Sequence, residues 1–305
     1  MANLAEQYLH ETLDKIQRHD GFRKTLAALA VLVLLGVALH FVYEIIPRTY
    51  NLRITGGDVL SNRHFLAKSL QAEALPRGVG LQVVPVHGSK EALEDLESGK
   101  LDLAFIQGGL GSDYANVQHV ATVSPELLHV LVRPDIKAIA DLKGKRINLG
   151  SKLAGTRVIA KPILEFSGLN EGVDYTESNF SPEELVAMAV KNLPEVVILT
   201  SFAPSDVADF LIKERDYTLL EMPFPKSLAL RLGWVAQSRI TSYMYKVSPP
   251  VPPRDIETIG VHLHLVARKD LDPRSVAKVL EVLYSPGVEQ RTRIRLEEKL
   301  SLIHI

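Results

Sequence analysis

The sequence predicts a two-lobed α/β fold behind a single membrane-spanning helix, on three observations. An uncharged apolar run lies near the N-terminus. Strand-like and helix-like stretches alternate through the rest of the chain. Two long apolar strands, near 126–133 and 258–268, bracket the second half of that alternation.

The apolar run is Thr25–Tyr43, TLAALAVLVLLGVALHFVY, without Asp, Glu, Lys or Arg. At 1.5 Å per residue it spans about 28 Å, close to the roughly 30 Å of a bilayer's hydrocarbon. It is longer than a signal-peptide core, and the HFVYEIIPR stretch at its end has no small-x-small cleavage site. An uncleaved anchor is expected over 25–43. Lys15, Arg18, Arg23 and Lys24 precede it, whereas only Arg48 and Arg53 follow closely. That bias places residues 1–24 in the cytoplasm and the chain from 47 onward outside. Leu4–Gln17 has apolar residues at helical spacing and reads as a short surface helix.

Beyond the anchor, NLRITGG (51–57) reads as a strand entering a tight turn, and Ser61–Ala74 as a helix. LQVVPVHG (81–88) is a second strand. Ser89 is expected to cap the helix that Gly99 stops, with Glu91 in its first turn. LDLAFIQGG (101–109) and ELLHVLVR (126–133) complete a first set, whose β-α-β order predicts a mostly parallel sheet. In the second set, KRINLGS (145–151), EVVILTS (195–201) and YTLLEMP (217–223) read as strands. Helices are expected at 155–168, after Ser181 with its S-P-E-E cap, and at SDVADFLIK (205–213). SPPVPPRD (248–255) reads as a stiff extended connector; TIGVHLHLVAR (258–268) is a long strand, followed by a helix over 275–284. The plan is one lobe of 47–128 plus 264–299 and a second of 133–258, joined by two crossovers.

Composition narrows the function. Lys plus Arg is 35 and Asp plus Glu 36, for a net charge of −1, which offers no field for non-specific nucleic-acid binding. The absence of cysteine removes disulfides, thiol nucleophiles and thiolate metal sites. No nucleophile-elbow or zinc-helix motif is present, and 150–156 lacks the lysine of a phosphate loop. No enzyme, cofactor or metal is expected, although His262 and His264 share a strand face.

Ligands of open parallel sheets bind beyond the carboxyl ends of strands. The turns there are Thr55–Asp58, His87–Ser89, Gln107–Gly109, Gly150–Arg157 and Thr200–Phe202, all small, polar or glycine-rich. A cleft between the lobes is expected, lined by Gly57, Ser89, Gln107, Ser151, Thr156, Arg157 and Ser201. Arg157 falls in a helix's first turn, where the helix dipole disfavours a cation. Either a bound carboxylate or a nearby acidic side chain would compensate it.

RITGG, VPVHGSKEALEDLESGKLDLAFIQGG, DLKGKRINLGSKLAGTR and IETIGVHLHLVARKDL together resemble the TAXI family of solute receptors, over about 51–286. That family serves tripartite ATP-independent periplasmic (TRAP) transporters. The resemblance implies a type 2 periplasmic-binding fold, capture of a small organic acid or amino acid without catalysis, and delivery to a TRAP-type permease. The chain departs from the family at Asp58–Ser61 and Lys191–Glu195. A sensing module of the same fold, acting through a membrane partner, is the alternative. The final LSLIHI (300–305) reads like a translated sequencing adapter, so the natural chain is expected to run on past Lys299.

Overall fold

The computed structural model describes residues 20–45, 49–110, 113–222, 224–294 and 296. The expected Leu4–Gln17 helix and the 300–305 segment lie outside them. The chain divides at Arg48/Thr49 into two compact units.

The first unit contains α1 (Asp20–Ile45), of which Arg23–Tyr43 is long and apolar enough to cross a membrane. Leu32, Leu34 and Leu39 are exposed. A helix apolar on every side requires an apolar surrounding, so this segment is a candidate anchor or signal helix.

In the second unit the strands are β1 (Tyr50–Thr55), β2 (Val79–Val83), β3 (Leu103–Gln107), β4 (Val117–Val132), β5 (Arg146–Asn148), β6 (Thr176–Ser178), β7 (Val196–Ser201), β8 (Thr218–Leu219), β9 (Ala236–Ile240), β10 (Lys246–Val247), β11 (Pro250–Val251) and β12 (Ile256–Arg268). The helices that matter here are α2 (Asn62–Ala74), α3 (Ser89–Glu97), α4 (Gly155–Phe166) and α5 (Pro182–Ala187). The main sheet runs β2-β1-β3-β12-β4-β7-β5-β6, with β8 beside β4 and β9 beside β12. β1, β2 and β3 are parallel, as are β5, β6 and β7, while β4 and β12 run antiparallel to their neighbours.

β4 and β12 tie the molecule together. They pair from Val117↔Arg268 to Leu127↔Gly260. One end of each lies in a first core with Ile54, Leu66, Leu70 and Phe105: Val120, Ala121 and Val123 from β4, Leu263, Leu265 and Ala267 from β12. The other ends, Leu128, Val130 and Val132 with Ile259 and Val261, lie in a second core with Ile147, Ile159 and Ile198. The two cores separate at the polar stretch around Ser124–Glu126.

Several elements differ from the sequence reading. β4 starts nine residues before the expected 126 (126 − 117). Pro125 hides the extension because it cannot donate to a ladder; it sits opposite His262, beside a register shift at Leu263/His264. The proline-rich stretch is not an extended connector, since β10 and β11 pair antiparallel. YTLLEMP contributes only β8. Ser89 is the first residue of α3 rather than its cap, and Gly88 holds the cap position. Ser181 does cap its helix, reciprocally with Glu184, and Ser61, read as the first helical residue, is instead the cap of α2.

His129 on β4 is fully buried between two partners. The Leu127 carbonyl, 2.9 Å from Nδ1, can only accept, so Nδ1 carries the proton. Nε2 then accepts from the Tyr245 hydroxyl at 2.6 Å. Burial holds this imidazole down from its ordinary 6.5 to about 4. Between those values the unfolded chain binds the proton and the folded chain does not. Stability from this group is therefore full above pH 6.5 and falls as pH drops towards 4, by up to about 3 kcal/mol. Asp58, raised from 3.8 to about 6, acts in the opposite sense over its own range. The check is thus a difference: in denaturant unfolding, the stability advantage of the parent chain over His129→Gln should shrink as pH falls from 6.5 towards 4, because Asp58 contributes equally to both.

Candidate functional site

A cavity open to solvent lies where the two cores separate. One wall comes from the first half of the molecule, through the loop after β1, the start of α2 and Glu126 of β4. The other comes from Asn148, Ser151, Gly155, Thr156, Thr200 and Ser201.

The loop after β1 folds back on α2 because residue 56 is glycine. A Cβ there would stand 2.3 Å from the Arg63 carbonyl oxygen. This fold brings Arg63, the second residue of α2, over β4 and β3. Its Nε donates to Glu126 Oε1 at 2.6 Å, Nη1 to Ser89 Oγ at 3.1 Å and Nη2 to Gln107 Oε1 at 3.3 Å. Ser89 Oγ also accepts from the Gln107 amide at 3.2 Å. The Arg63 side chain is 12% exposed and that of Glu126 is 0%. Burial pushes the Glu126 carboxyl up, and the Arg63 charge pulls against it. Glu126 Oε2 makes no hydrogen bond within the protein, nor does Thr200 Oγ1, and both residues line the cavity.

Asp58 lies on the same wall. Burial raises its carboxyl to about 6, and the negative charge of Glu183 adds to the shift, against the opposing pull of His87 and Arg63. Glu183 belongs to α5 in the other half and accepts from the Leu60 amide at 2.9 Å.

Further contacts join the walls. Asn62 Nδ2 donates to the Pro204 carbonyl at 3.0 Å, the Lys90 amide to Leu153 at 3.2 Å, and Gln107 Nε2 to Gly155 at 2.8 Å. Ser151 Oγ donates to the His87 carbonyl.

Of the expected residues, Gly57, Ser151, Thr156 and Ser201 line the cavity. Thr156 Oγ1 accepts from the Thr200 amide at 3.1 Å and so fixes β7 beside α4. Ser89 and Gln107 stand behind the wall and hold Arg63. Arg157 is not among the lining residues, and its Nε donates to Glu177 Oε1 of β6 at 2.6 Å, the acidic partner that was one of the two expected alternatives. The internal acid supplies what the helix start lacks. Arg63, Glu126 and Asp58 were missed as site residues, although a lone Glu heading the apolar run ELLHVLV was a readable signal of a partnered buried charge. His264 meets His119 of β4, with 3.0 Å between ring nitrogens, rather than forming a pair with His262. Among the described residues, no group of three His, Cys, Asp or Glu could hold a metal ion.

Residues 56–293 match the NMT1-like family. This chain belongs to the NMT1-like family. Solved structures share the architecture of this NMT1-like chain at low identity. The alkanesulfonate-binding protein SsuA of Xanthomonas axonopodis pv. citri, bound to MOPS, is 18% identical with a TM-score of 0.52, over 82% of this chain and 81% of its own. A periplasmic binding protein of Salmonella typhimurium with high arginine specificity is 14% identical with a TM-score of 0.52, over 80% and 98%. The effector-binding domain of QuiR, in complex with shikimate, is 11% identical with a TM-score of 0.50, over 77% and 95%. The mixed α/β fold of the NMT1-like chain is that of periplasmic binding proteins, as the sequence predicts.

Proposed function

We propose that this NMT1-like chain is a membrane-anchored extracytoplasmic receptor. It captures a small carboxylate or amino acid between two lobes and delivers it, unaltered, to a TRAP-type permease. The lobes are 47–128 plus 264–299 and 133–258, hinged where β4 and β12 pass between the cores. Residues 1–24 remain cytoplasmic and α1 tethers the cleft to the membrane. The observation that carries the reading is the pair of buried polar atoms without an internal partner, Glu126 Oε2 and Thr200 Oγ1, on two residues that line the cavity from opposite walls. A buried polar group without a partner is costly, and a captured ligand supplies one. The family and the apolar α1 agree with this role. The similar structures are named with a sulfonate-binding role, with arginine and with shikimate, so likeness of fold does not choose the ligand's charge.

Thr200→Val tests this directly. The hydroxyl is buried without a partner in the fold, so its replacement by a methyl is expected to raise unfolding stability by about 1 kcal/mol or more. Affinity for the small molecule that copurifies with the full chain, identified by mass spectrometry, is expected to weaken about tenfold. Equal affinity in parent and variant would remove the cavity as the binding site.

A further inference from the structure

We propose that the ligand recognised in this cleft carries a cationic nitrogen, an ammonium or guanidinium group, held between Asp58 and Glu183 at the mouth and Glu126 on the floor. This rests on the receptor reading above and departs from the small acid that the turns alone suggest.

The charge inventory of the cavity decides it. Its charged lining residues are Asp58, Arg63 and Glu126, two carboxylates against one guanidinium. That guanidinium is already engaged, donating to Glu126, Ser89 and Gln107 and enclosed to 12% exposure. A carboxylate ligand would have to compete with Glu126 for it. Glu126, in turn, lines the cavity and keeps Oε2 buried without a donor of its own. Beside Asp58, though not among the lining residues, Glu183 adds a further carboxylate from the second lobe and accepts from the Leu60 amide. The opposite wall, Asn148, Ser151, Thr156 and Thr200, carries no charged side chain. Asp58 and Glu183 repel one another, and burial raises Asp58 to about 6. A cation between them removes that repulsion, and because they sit on different lobes it favours closure. Unlike charges also raise the encounter rate of such a ligand with an acidic cleft.

The test uses the full chain in detergent, at constant ionic strength and neutral pH. Melting temperature is followed with two panels at millimolar concentration. One contains L-arginine, L-lysine, agmatine and putrescine; the other contains L-glutamate, succinate and an alkanesulfonate. At least one cation is expected to raise the melting temperature, and no anion. Asp58→Asn and Glu183→Gln are each expected to weaken the responding cation by roughly ten- to a hundredfold in Kd, the loss of one charged hydrogen bond. Both substitutions keep side-chain shape, and Glu183→Gln retains an oxygen for the Leu60 amide. An anion that raises the melting temperature, or tighter binding by either variant, overturns the proposal while leaving the receptor reading intact. A response to neither panel also overturns it; the receptor reading then stands or falls on Thr200→Val and the copurified ligand.

Discussion

Arg63→Ala is expected to destabilise the chain by about 3–5 kcal/mol, the cost of leaving one partner of a buried ion pair alone. Glu126 is 0% exposed, and among the described residues the one hydrogen bond its carboxylate accepts comes from Arg63 Nε. Removing the guanidinium leaves a carboxylate in a low-dielectric site with no counter-charge among its contacts, and Ser89 and Gln107 lose a donor as well. The double variant Arg63→Ala/Glu126→Gln should recover much of the loss, because the uncompensated charge goes with it. Urea unfolding of the full chain at neutral pH checks both. A loss under about 1 kcal/mol for Arg63→Ala would mean that the pair does not organise this wall.

The second large effect is expected at Gly88. Its φ is +140°, a backbone conformation that side-chain-bearing residues rarely adopt. A Cβ there would stand 2.5 Å from the Leu153 carbonyl oxygen and 2.7 Å from Ala154 Cα, backbone atoms of the opposite half. Gly88→Ala thus drives a wedge between the walls at the point where Ser151 meets His87 and Lys90 meets Leu153. Losing those two hydrogen bonds removes about 1–3 kcal/mol from closure, or roughly ten- to a hundredfold in ligand Kd. Gly144→Ala is the control: φ is +76° but a Cβ would meet nothing within 4 Å. It should cost about 1–2 kcal/mol of stability through backbone strain and leave ligand affinity unchanged.

The comparison of Arg63 with Arg157 shows how far the sequence reaches. Each is a cation in the first turn of a helix that follows a glycine-rich turn. Local reasoning applies equally to both. What separates them is the acid each meets: Glu126 on a strand sixty-three residues away, buried in the cleft wall, against Glu177 twenty residues away on β6. Such pairings depend on how the sheet brings distant strands together, and no local pattern encodes them. Ser89 and Gln107 teach a related point. Their turns lie at the cleft, but which way a side chain faces depends on the guanidinium placed between them. The alternation of strands and helices, by contrast, was legible because burial imposes it residue by residue. The strand nature of 258–268 and the S-P-E-E helix start fall in that class. β4 was half-read because Pro125 breaks the strand signal, and β9 was not read because AQSRI is short and polar.

The central claim is that one small molecule is held between the two halves of this NMT1-like chain. Native mass spectrometry of the full chain, released from detergent after incubation with a small-molecule extract of its own cells, measures this most directly when run beside Gly88→Ala. One bound small molecule per parent chain, lost from the variant, is the expected result. A parent chain that stays bare, or an adduct retained equally by both, would contradict it.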